Sequence, residues 1–226
     1  MDEAEDVALL GGRSLKGVGD WTGDGVDELA IYTYRFNDEF RHGYLFLSAA
    51  ETGQVDPRDI EDALLSDSEG TMGAISKSGD INHDGYADVA YSASGVDRVF
   101  AGVAYGPIEG AIERSDAEVF TALPPFALWS GDILENVADM DGDGWVDLTL
   151  VLADYDDTYA RMYIVHGPLE GTCTLDRMPW VDEIYRGSER ALLEDINGDA
   201  LPDLAVHGPW GDRDESMVHL LPGTVL

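Results

Sequence analysis

Short apolar segments alternate with polar loops along the whole chain, and the same order of segments recurs four times. In each recurrence an apolar stretch leads into a loop rich in aspartate, and a second apolar stretch follows the loop at once, at residues 29–32, 89–91, 148–151 and 204–206. A third stretch follows a polar loop, at residues 43–47, 99–104, 162–165 and 217–221. Short β-prone runs bounded by turn residues at regular spacing predict antiparallel strands, and no window has sustained helical periodicity. We therefore expect an all-β protein.

The recurrence has a nearly constant period. The first aspartates of the four acidic loops are 60, 59 and 56 residues apart; they are Asp20, Asp80, Asp139 and Asp195. A weaker fourth segment, residues 62–65, completes the first repeat. Four antiparallel strands per repeat of this length predict blades of a β-propeller. We expect one domain over residues 1–226, with blades at about 12–66, 67–127, 128–183, and 184–226 plus 1–11.

The two ends of the chain complement each other. The sequence stops shortly after a third strand, and residues 5–10 match the fourth-strand residues 61–65. We expect the N-terminal strand to join the last blade and close a four-bladed ring, because such an exchange hides a sheet edge. Two alternatives remain open: the repeats can be part of a larger ring, or the N-terminal strand can pair with a second chain in a strand-exchanged dimer. We adopt the closed monomer as the expectation.

Each acidic loop follows one nine-residue pattern. In residues 139–147, carboxylates occupy positions one, three, five and nine, and glycine occupies position six. When the chain curls, acids at alternate positions point their oxygens to one centre, a backbone carbonyl at position seven adds a ligand, and position nine closes the site. Such hard oxygen donors suit Ca²⁺, which takes about six to eight oxygens. Glycine at position six permits a sharp turn with positive φ.

With four such phased loops, the chain resembles the FG-GAP or VCBS repeat family, whose members include the calcium-loop β-propellers of integrin-α-type proteins and many bacterial surface proteins. The resemblance covers nearly the whole chain and implies about one Ca²⁺ per repeat, up to four. By matching positions, it implies the following ligands: Asp20, Thr22, Asp24, Val26 and Glu28 in loop 1 (residues 20–28); Asp80, Asn82, Asp84, Tyr86 and Asp88 in loop 2 (80–88); Asp139, Asp141, Asp143, Trp145 and Asp147 in loop 3 (139–147); and Asp195, Asn197, Asp199, Leu201 and Asp203 in loop 4 (195–203). The residues at position seven would act through their carbonyls.

Three residues depart from the pattern. Thr22 is a neutral ligand, Glu28 replaces the usual aspartate, and Ala200 stands where glycine is expected and should strain the turn. By charge and geometry we expect loops 3 and 2 to bind most strongly, followed by loops 4 and 1. The alternative is that Asp and Asn side chains merely cap turns through local hydrogen bonds.

The net charge of the chain limits the classes of partner that it can bind. The chain has 46 acidic residues against 13 lysines and arginines, a formal net charge of −33. Such a surface repels nucleic-acid phosphates and anionic membranes and attracts divalent cations. We expect the acidic residues to form both cation sites and a solvated coat, as in proteins that work at high salt. No apolar run is long enough to span a membrane. The lone Cys173 excludes an internal disulfide and is expected to be a small buried residue.

The location follows from the resemblance, which implies a secreted or cell-surface protein of bacterial source. The first residues, Met1-Asp2-Glu3-Ala4-Glu5, do not have the chemistry of a secretory signal peptide. We therefore expect that no signal is present in this chain.

Partner binding is expected on the face opposite the acidic loops, where the longer irregular loops lie. Exposed aromatic rings among acids can contact a protein or stack on sugars, or they can simply cover the blade ends. The candidates are Phe36, Phe40, Tyr155, Tyr159 and Trp210. The partner is thus a protein or a glycan.

No common catalytic motif occurs in the sequence, and the five histidines are scattered and suggest no ligand set. We therefore expect a non-enzymatic extracellular binding or adhesion module with structural Ca²⁺. The alternative is a propeller-type polysaccharide-active enzyme or lectin with structural Ca²⁺, for which Arg161, Arg186 and Arg213 are the available basic residues. A minimal ring without a partner is a third hypothesis.

Overall fold

The computed structural model describes residues 8–9, 15–33, 42–48, 54–55, 63–67, 71–94, 99–108, 110–113, 118–122, 137–153, 160–169, 173–174, 181–186, 189–209 and 216–223. Over these ranges the protein is all-β and contains no α-helix, which confirms the all-β part of the predicted fold class. The propeller arrangement stays a prediction. The described residues accordingly include no helix with the length and apolarity needed to cross a membrane.

The strands follow the four repeats in order. The first strand is β1 (Ala8–Leu9). Repeat 1 contains β2 (Leu15–Gly19), β3 (Glu28–Thr33), β4 (His42–Ser48), β5 (Gln54–Val55) and β6 (Ala63–Asp67). Repeat 2 contains β7 (Thr71–Gly79), β8 (Asp88–Ser94), β9 (Val99–Ala104), β10 (Gly110–Glu113) and β11 (Glu118–Ala122). Repeat 3 contains β12 (Val137–Ala138), β13 (Asp147–Ala153), β14 (Ala160–Val165), β15 (Cys173–Thr174) and β16 (Val181–Arg186). Repeat 4 contains β17 (Glu189–Leu193), β18 (Asp203–Pro209) and β19 (Ser216–Leu221).

Each repeat builds its own antiparallel sheet, numbered 1 to 4 after the repeat. The strand orders are β2-β3-β4-β6, β7-β8-β9-β11, β12-β13-β14-β16 and β17-β18-β19. The register is the same in all four sheets, because the residue after position nine of each acidic loop pairs with the end of the third strand. These pairs are Leu29 with Leu47, Val89 with Ala104, Leu148 with Val165, and Leu204 with Leu221. The predicted second and third strands are therefore confirmed, and residues can be compared between repeats position by position.

Additional strands connect neighbouring sheets. After the third strand of repeat 2 the chain turns and sends β10 back to pair in parallel with β6, at the outer edge of sheet 1. In the same way β15 of repeat 3 pairs in parallel with β11 of sheet 2. Sheets 1 and 2 thus each have five strands. The sequence pattern did not predict this addition, because it marks apolar segments but not the edge on which each one pairs.

The N-terminal strand β1 makes a pairing that the sequence analysis did not predict. Residues 5–10 are expected to join the last blade, which stays a prediction, and the described strand β1 pairs in parallel with β5. Sheet 4 has three strands among the described residues. The β1–β5 ladder is a third example of the parallel pairing made by β10 and β15. This pairing with β5 occupies one of the two edges of β1.

One buried hydrophobic cluster of the described structure lies between sheets 1 and 2. We call the face of a sheet that points to the following repeat its leading face, and the opposite one its trailing face. Tyr44, Phe46 and Leu65 on the leading face of sheet 1 form one buried cluster with trailing-face residues of sheet 2, which include Ile75 and Tyr91. The Tyr44 hydroxyl also donates to the Gly73 carbonyl at 2.7 Å. Side chains that alternate along each strand thus pack one repeat onto the next.

Candidate metal centres

The first aspartate of each acidic loop curls the chain around itself. The Asp20 carboxylate accepts the backbone N–H groups of Gly23 at 2.8 Å and Gly25 at 3.0 Å. The equivalent bonds from Gly142 and Gly144 to Asp139 are 2.7 and 3.0 Å. Asp80 and Asp195 hold the N–H groups of their own loops in the same manner. In loop 4 these bonds from Ala200 and Gly198 lower the pKa of the exposed Asp195.

Positions five and three complete the inner side of the loop. The position-five aspartates each accept the N–H of position seven at 2.8–2.9 Å; they are Asp24, Asp84, Asp143 and Asp199. At position three the amides of Asn82 and Asn197 donate to Asp84 and Asp199, both at 2.9 Å. Each amide therefore directs its Nδ2–H group, a partial positive charge, at the carboxylates of its loop.

The acid at position nine is buried in every loop. One Asp88 oxygen accepts the N–H of Ile81 at 2.6 Å, and the other accepts the N–H of Gly106 at 2.9 Å. Asp147 makes the equivalent bonds with Met140 and Gly167, at 2.8 and 2.9 Å. Burial raises the pKa of Asp88 and of Asp147, although these hydrogen bonds act in the opposite direction. A carboxylate buried in this way gains from a nearby positive charge.

In loop 1 the acid at position nine bonds to positions two and three of its own loop. Repeat 1 has no glycine directly after its third strand, where the other repeats have Gly106, Gly167 and Gly223. The longer Glu28 side chain accepts hydrogen bonds from the N–H groups of Trp21 at 2.6 Å and Thr22 at 3.1 Å. It also accepts one from the Thr22 hydroxyl at 3.0 Å. The two departures that the sequence shows in this loop therefore bond to each other. Burial raises the pKa of Glu28 as well.

Position six has a left-handed backbone in all four loops. Gly25, Gly85 and Gly144 have φ values of 90°, 96° and 94°, and Ala200 has 74°. The strain expected at Ala200 is thus present, because an L side chain at positive φ crowds its own backbone.

Oxygen atoms converge in two of the loops as the pattern predicts. Ligand atoms of Asp20, Asp24 and Glu28 lie within 4.8 Å of one another, as do those of Asp139, Asp141 and Asp143. Three carboxylates at this separation repel each other unless a cation lies between them. Their chemistry fits a hard divalent ion. The position-seven carbonyls stay a prediction, and the Val26 and Tyr86 side chains at those positions are exposed.

Histidine 166 lies at loop 3, and the sequence analysis missed it. Its Nδ1 atom is 3.4 Å from a carboxylate oxygen of Asp141 and 3.4 Å from one of Asp147, and the three residues form a further possible ligand group. The available signal was its position directly before Gly167, whose N–H group contacts Asp147. His166 thus adds a nitrogen donor to the site.

Neighbouring acidic loops touch at fixed positions. His83, at position four of loop 2, packs its ring edge-on against Trp145, at position seven of loop 3, with the ring centres 4.6 Å apart. Its Nε2 atom lies 2.9 Å from the Gly144 carbonyl oxygen. Gly23 of loop 1 is likewise close to Tyr86 of loop 2, and Gly142 of loop 3 to Leu201 of loop 4. The four candidate sites therefore form a connected row.

Most of the other predicted site residues lie outside the described part of the chain. The five partner-binding candidates, Phe36, Phe40, Tyr155, Tyr159 and Trp210, all lie outside the described residues. Arg161 and Arg186 are cross-strand partners in sheet 3, and Arg213 lies outside the described residues. Cys173 lies in β15, and its expected burial falls outside what the structure describes.

Comparison with known proteins gives one partial similarity. Integrin alpha-PS5 of Drosophila melanogaster is 36% identical to the chain over 81 residues, which cover 34% of this chain and 8% of the integrin. The chain therefore corresponds to a small part of that relative. No family model matches the sequence, and no solved structure is significantly similar. The similarity supports a loose relation to integrin-type repeats.

Proposed function

We propose that the four sheets are blades of a Ca²⁺-binding β-propeller that serves as a non-enzymatic extracellular binding or adhesion module. The observation that carries the calcium part is the recurrence of one hydrogen-bonded loop, four times, with acidic oxygens directed inward. The adhesion part rests on the partial similarity to an integrin alpha chain. A bacterial source stays a prediction from the sequence.

The need for a cation follows from charge. Each loop holds a buried acid at position nine beside exposed aspartates, and the whole chain has a net charge of −33. Between like charges, bound Ca²⁺ replaces repulsion by attraction and gives the buried carboxylate a partner. The asparagines of loops 2 and 4 fit this role, because each side-chain oxygen accepts the N–H group of position five, at 3.1 and 2.9 Å, and has a second lone pair that can bind an ion.

The ion is proposed to stabilise the loops rather than to take part in a reaction. The position-nine carboxylate already links the loop to the turn after the third strand, so an ion held by the same carboxylate stiffens both. The partner is a protein or a glycan, bound on the face opposite the acidic loops by the aromatic candidates named above. Such a partner site depends on the fold that the ions stabilise.

Calorimetric titration of the chelator-treated protein with CaCl₂, followed by thermal unfolding, tests the proposal. We expect up to four Ca²⁺ per chain and a higher melting temperature, since each site in about 100-fold excess over its dissociation constant adds about 2.7 kcal/mol. Asp143→Asn should remove or weaken one site. Glu194→Gln removes an exposed charge outside the proposed ligand set and should leave the stoichiometry unchanged. Absence of binding, or an unchanged melting curve in excess chelator, would refute structural calcium.

The adhesion role needs a separate measurement. The calcium-loaded protein is screened against immobilised glycans and extracellular-matrix proteins, and substrate turnover is monitored in parallel. Saturable binding without turnover is the expected result. Polysaccharide cleavage would instead establish the enzymatic alternative.

A further inference from the structure

An apolar residue of loop 4 is exposed where the other loops bury theirs. Ile196 occupies position two and is 55% exposed. Its three equivalents are fully buried; they are Trp21, Ile81 and Met140. Trp21 shows what covers this position, because its indole N–H donates to the Ala104 carbonyl of the following repeat at 3.1 Å, and its own carbonyl accepts the N–H of Ile108 at 3.2 Å. Position two is thus normally covered by the next sheet.

The leading face of sheet 4 is exposed in the same way. On β19, Val218 and Leu220 are 64% and 56% exposed. The common register assigns Leu220 to the position of Phe46, Val103 and Ile164, which are fully buried. It assigns Val218 to the position of Tyr44 and Ala101, which are also buried. In sheet 1 these positions pack onto the trailing face of sheet 2.

The opposite end of the row exposes a trailing-face residue. Leu15 pairs with Ile31 in the register in which Ile75 pairs with Tyr91. Ile75 is buried between sheets 1 and 2, whereas Leu15 is 60% exposed. Its neighbour Ile31 is buried, so this end is covered in part. One end of the row therefore offers a leading face and the other end a trailing face.

We propose that the leading face of sheet 4 in one molecule packs against the trailing face of sheet 1 in a second copy of this chain. The chain already makes this pairing of faces once, between its own sheets 1 and 2, and the exposed residues occupy the positions that form it. The two end faces of a single chain leave these residues exposed to solvent, so they are available to another copy. This inference is independent of calcium binding.

The position of β1 supports the same occupant. The segment after a third strand pairs in parallel with the fourth strand of the preceding repeat, as β10 does with β6 and β15 with β11. Because β5 pairs with β1 in this manner, β1 takes the place of a fourth strand that precedes repeat 1. Sheet 4 has three strands in the described part of the chain, with β19 at its edge. β1 of one copy can therefore extend sheet 4 of the other, and two copies joined twice leave neither end uncovered.

Light scattering on the full chain in calcium-containing buffer tests the proposal. The expected mass is twice 24.5 kDa, or 49 kDa. Leu220→Glu and Leu15→Glu each place a charge in the contact, and each should reduce the mass to that of one chain. Ala111→Glu, at an exposed position of β10, should keep the mass of two chains. A single-chain mass for the unmodified protein overturns the proposal, since the faces would then close within one chain.

Mixing the two variants identifies the geometry. The Leu220→Glu chain keeps an intact sheet 1 end, and the Leu15→Glu chain keeps an intact sheet 4 end. Their mixture should therefore recover a two-chain species, although neither variant associates alone. A contact between two identical ends would be disrupted by only one of the substitutions, and a mixture that stays monomeric also contradicts the head-to-tail pairing. If Leu220→Glu does not fold, as judged by its circular dichroism, Val218→Glu tests the same face.

Discussion

The carboxylate of Asp88 accepts the backbone N–H of Gly106 at 2.9 Å, although the two residues are 18 positions apart in the chain. Its second oxygen accepts the N–H of Ile81 at 2.6 Å, at the beginning of the same acidic loop. One buried side chain thus joins the two ends of loop 2 to the turn that follows the third strand. Both bonds are made to backbone N–H groups of the protein, so position nine has a structural role besides any ion that it binds.

Substitution of Asp88 should therefore destabilise the protein even when metal is absent. Asp88→Ala removes two charge-assisted hydrogen bonds to buried N–H groups, and we expect a loss of about 3 kcal/mol in the free energy of unfolding, since each such bond contributes about 1.5–3 kcal/mol. Urea unfolding in excess chelator measures the loss. Asp84→Ala is the matched control, because Asp84 is exposed and its loss leaves no buried group unpaired. Equal effects of the two substitutions would contradict a structural role of position nine beyond that of an exposed acid.

The glycine after the third strand is required by close backbone contact. A Cβ atom at residue 106 would lie 2.5 Å from the Ala87 carbonyl oxygen and 3.1 Å from that of Trp21. We expect Gly106→Ala to cost about 1–3 kcal/mol, the usual range for overpacking. Gly17→Ala has open space around its Cβ position and should cost nothing. Thermal unfolding of both variants checks the difference, and similar melting temperatures would contradict the described packing.

Stability without metal should depend on pH in a definite direction. Burial raises the pKa of Glu28 above its ordinary value of 4.5 and that of Asp88 and Asp147 above 3.8. Because the folded state holds these protons more tightly than the unfolded state does, their stabilising effect is present at low pH and is lost as the pH rises through the raised pKa values. In chelator, the free energy of unfolding should therefore fall as the pH rises through this window towards neutrality.

The same series repeated in saturating Ca²⁺ should show a weaker or reversed dependence, since the ion binds the ionised carboxylates. Measurements at about 1 M salt reduce the contribution of the overall negative charge, because the screening length is then about 3 Å. A metal-free protein that becomes more stable as the pH rises would show that hydrogen bonding outweighs burial at these acids.

Replacement of Ala200 by glycine should stabilise loop 4. Ala200 has a φ of 74°, a conformation that costs an L residue about 1–2 kcal/mol. We expect Ala200→Gly to raise the free energy of unfolding by about 1 kcal/mol, reduced somewhat by the greater freedom of glycine in the unfolded chain. The reverse change at the equivalent position of loop 3, Gly144→Ala, should lower it by a similar amount. Two changes of the same sign would rule out backbone strain as the cause.

Local patterns predicted the acidic loops and the strands on either side of them, because one side-chain sequence fixes both the turn and the register that follows. The strain at Ala200 was predictable for the same reason. Contacts between distant segments were not. His166 reaches loop 3 because β14 pairs with β13, and its position directly before Gly167 becomes informative only once that pairing is known. The pairing of β1 with β5 was missed because a match between residues 5–10 and 61–65 identifies a type of strand but not its neighbour.

The parallel strands β10 and β15 also bear on how the chain can be divided. Each lies within one sequence repeat but completes the sheet of the repeat before it. Deletion of repeat 2 would therefore remove the outer strand of sheet 1 as well as sheet 2, and a transplanted repeat would carry a strand without its partner. Because β7, β8 and β9 lie between β6 and β10 in the chain, a cut anywhere between β6 and β15 separates sheet 1 or sheet 2 from at least one of its strands.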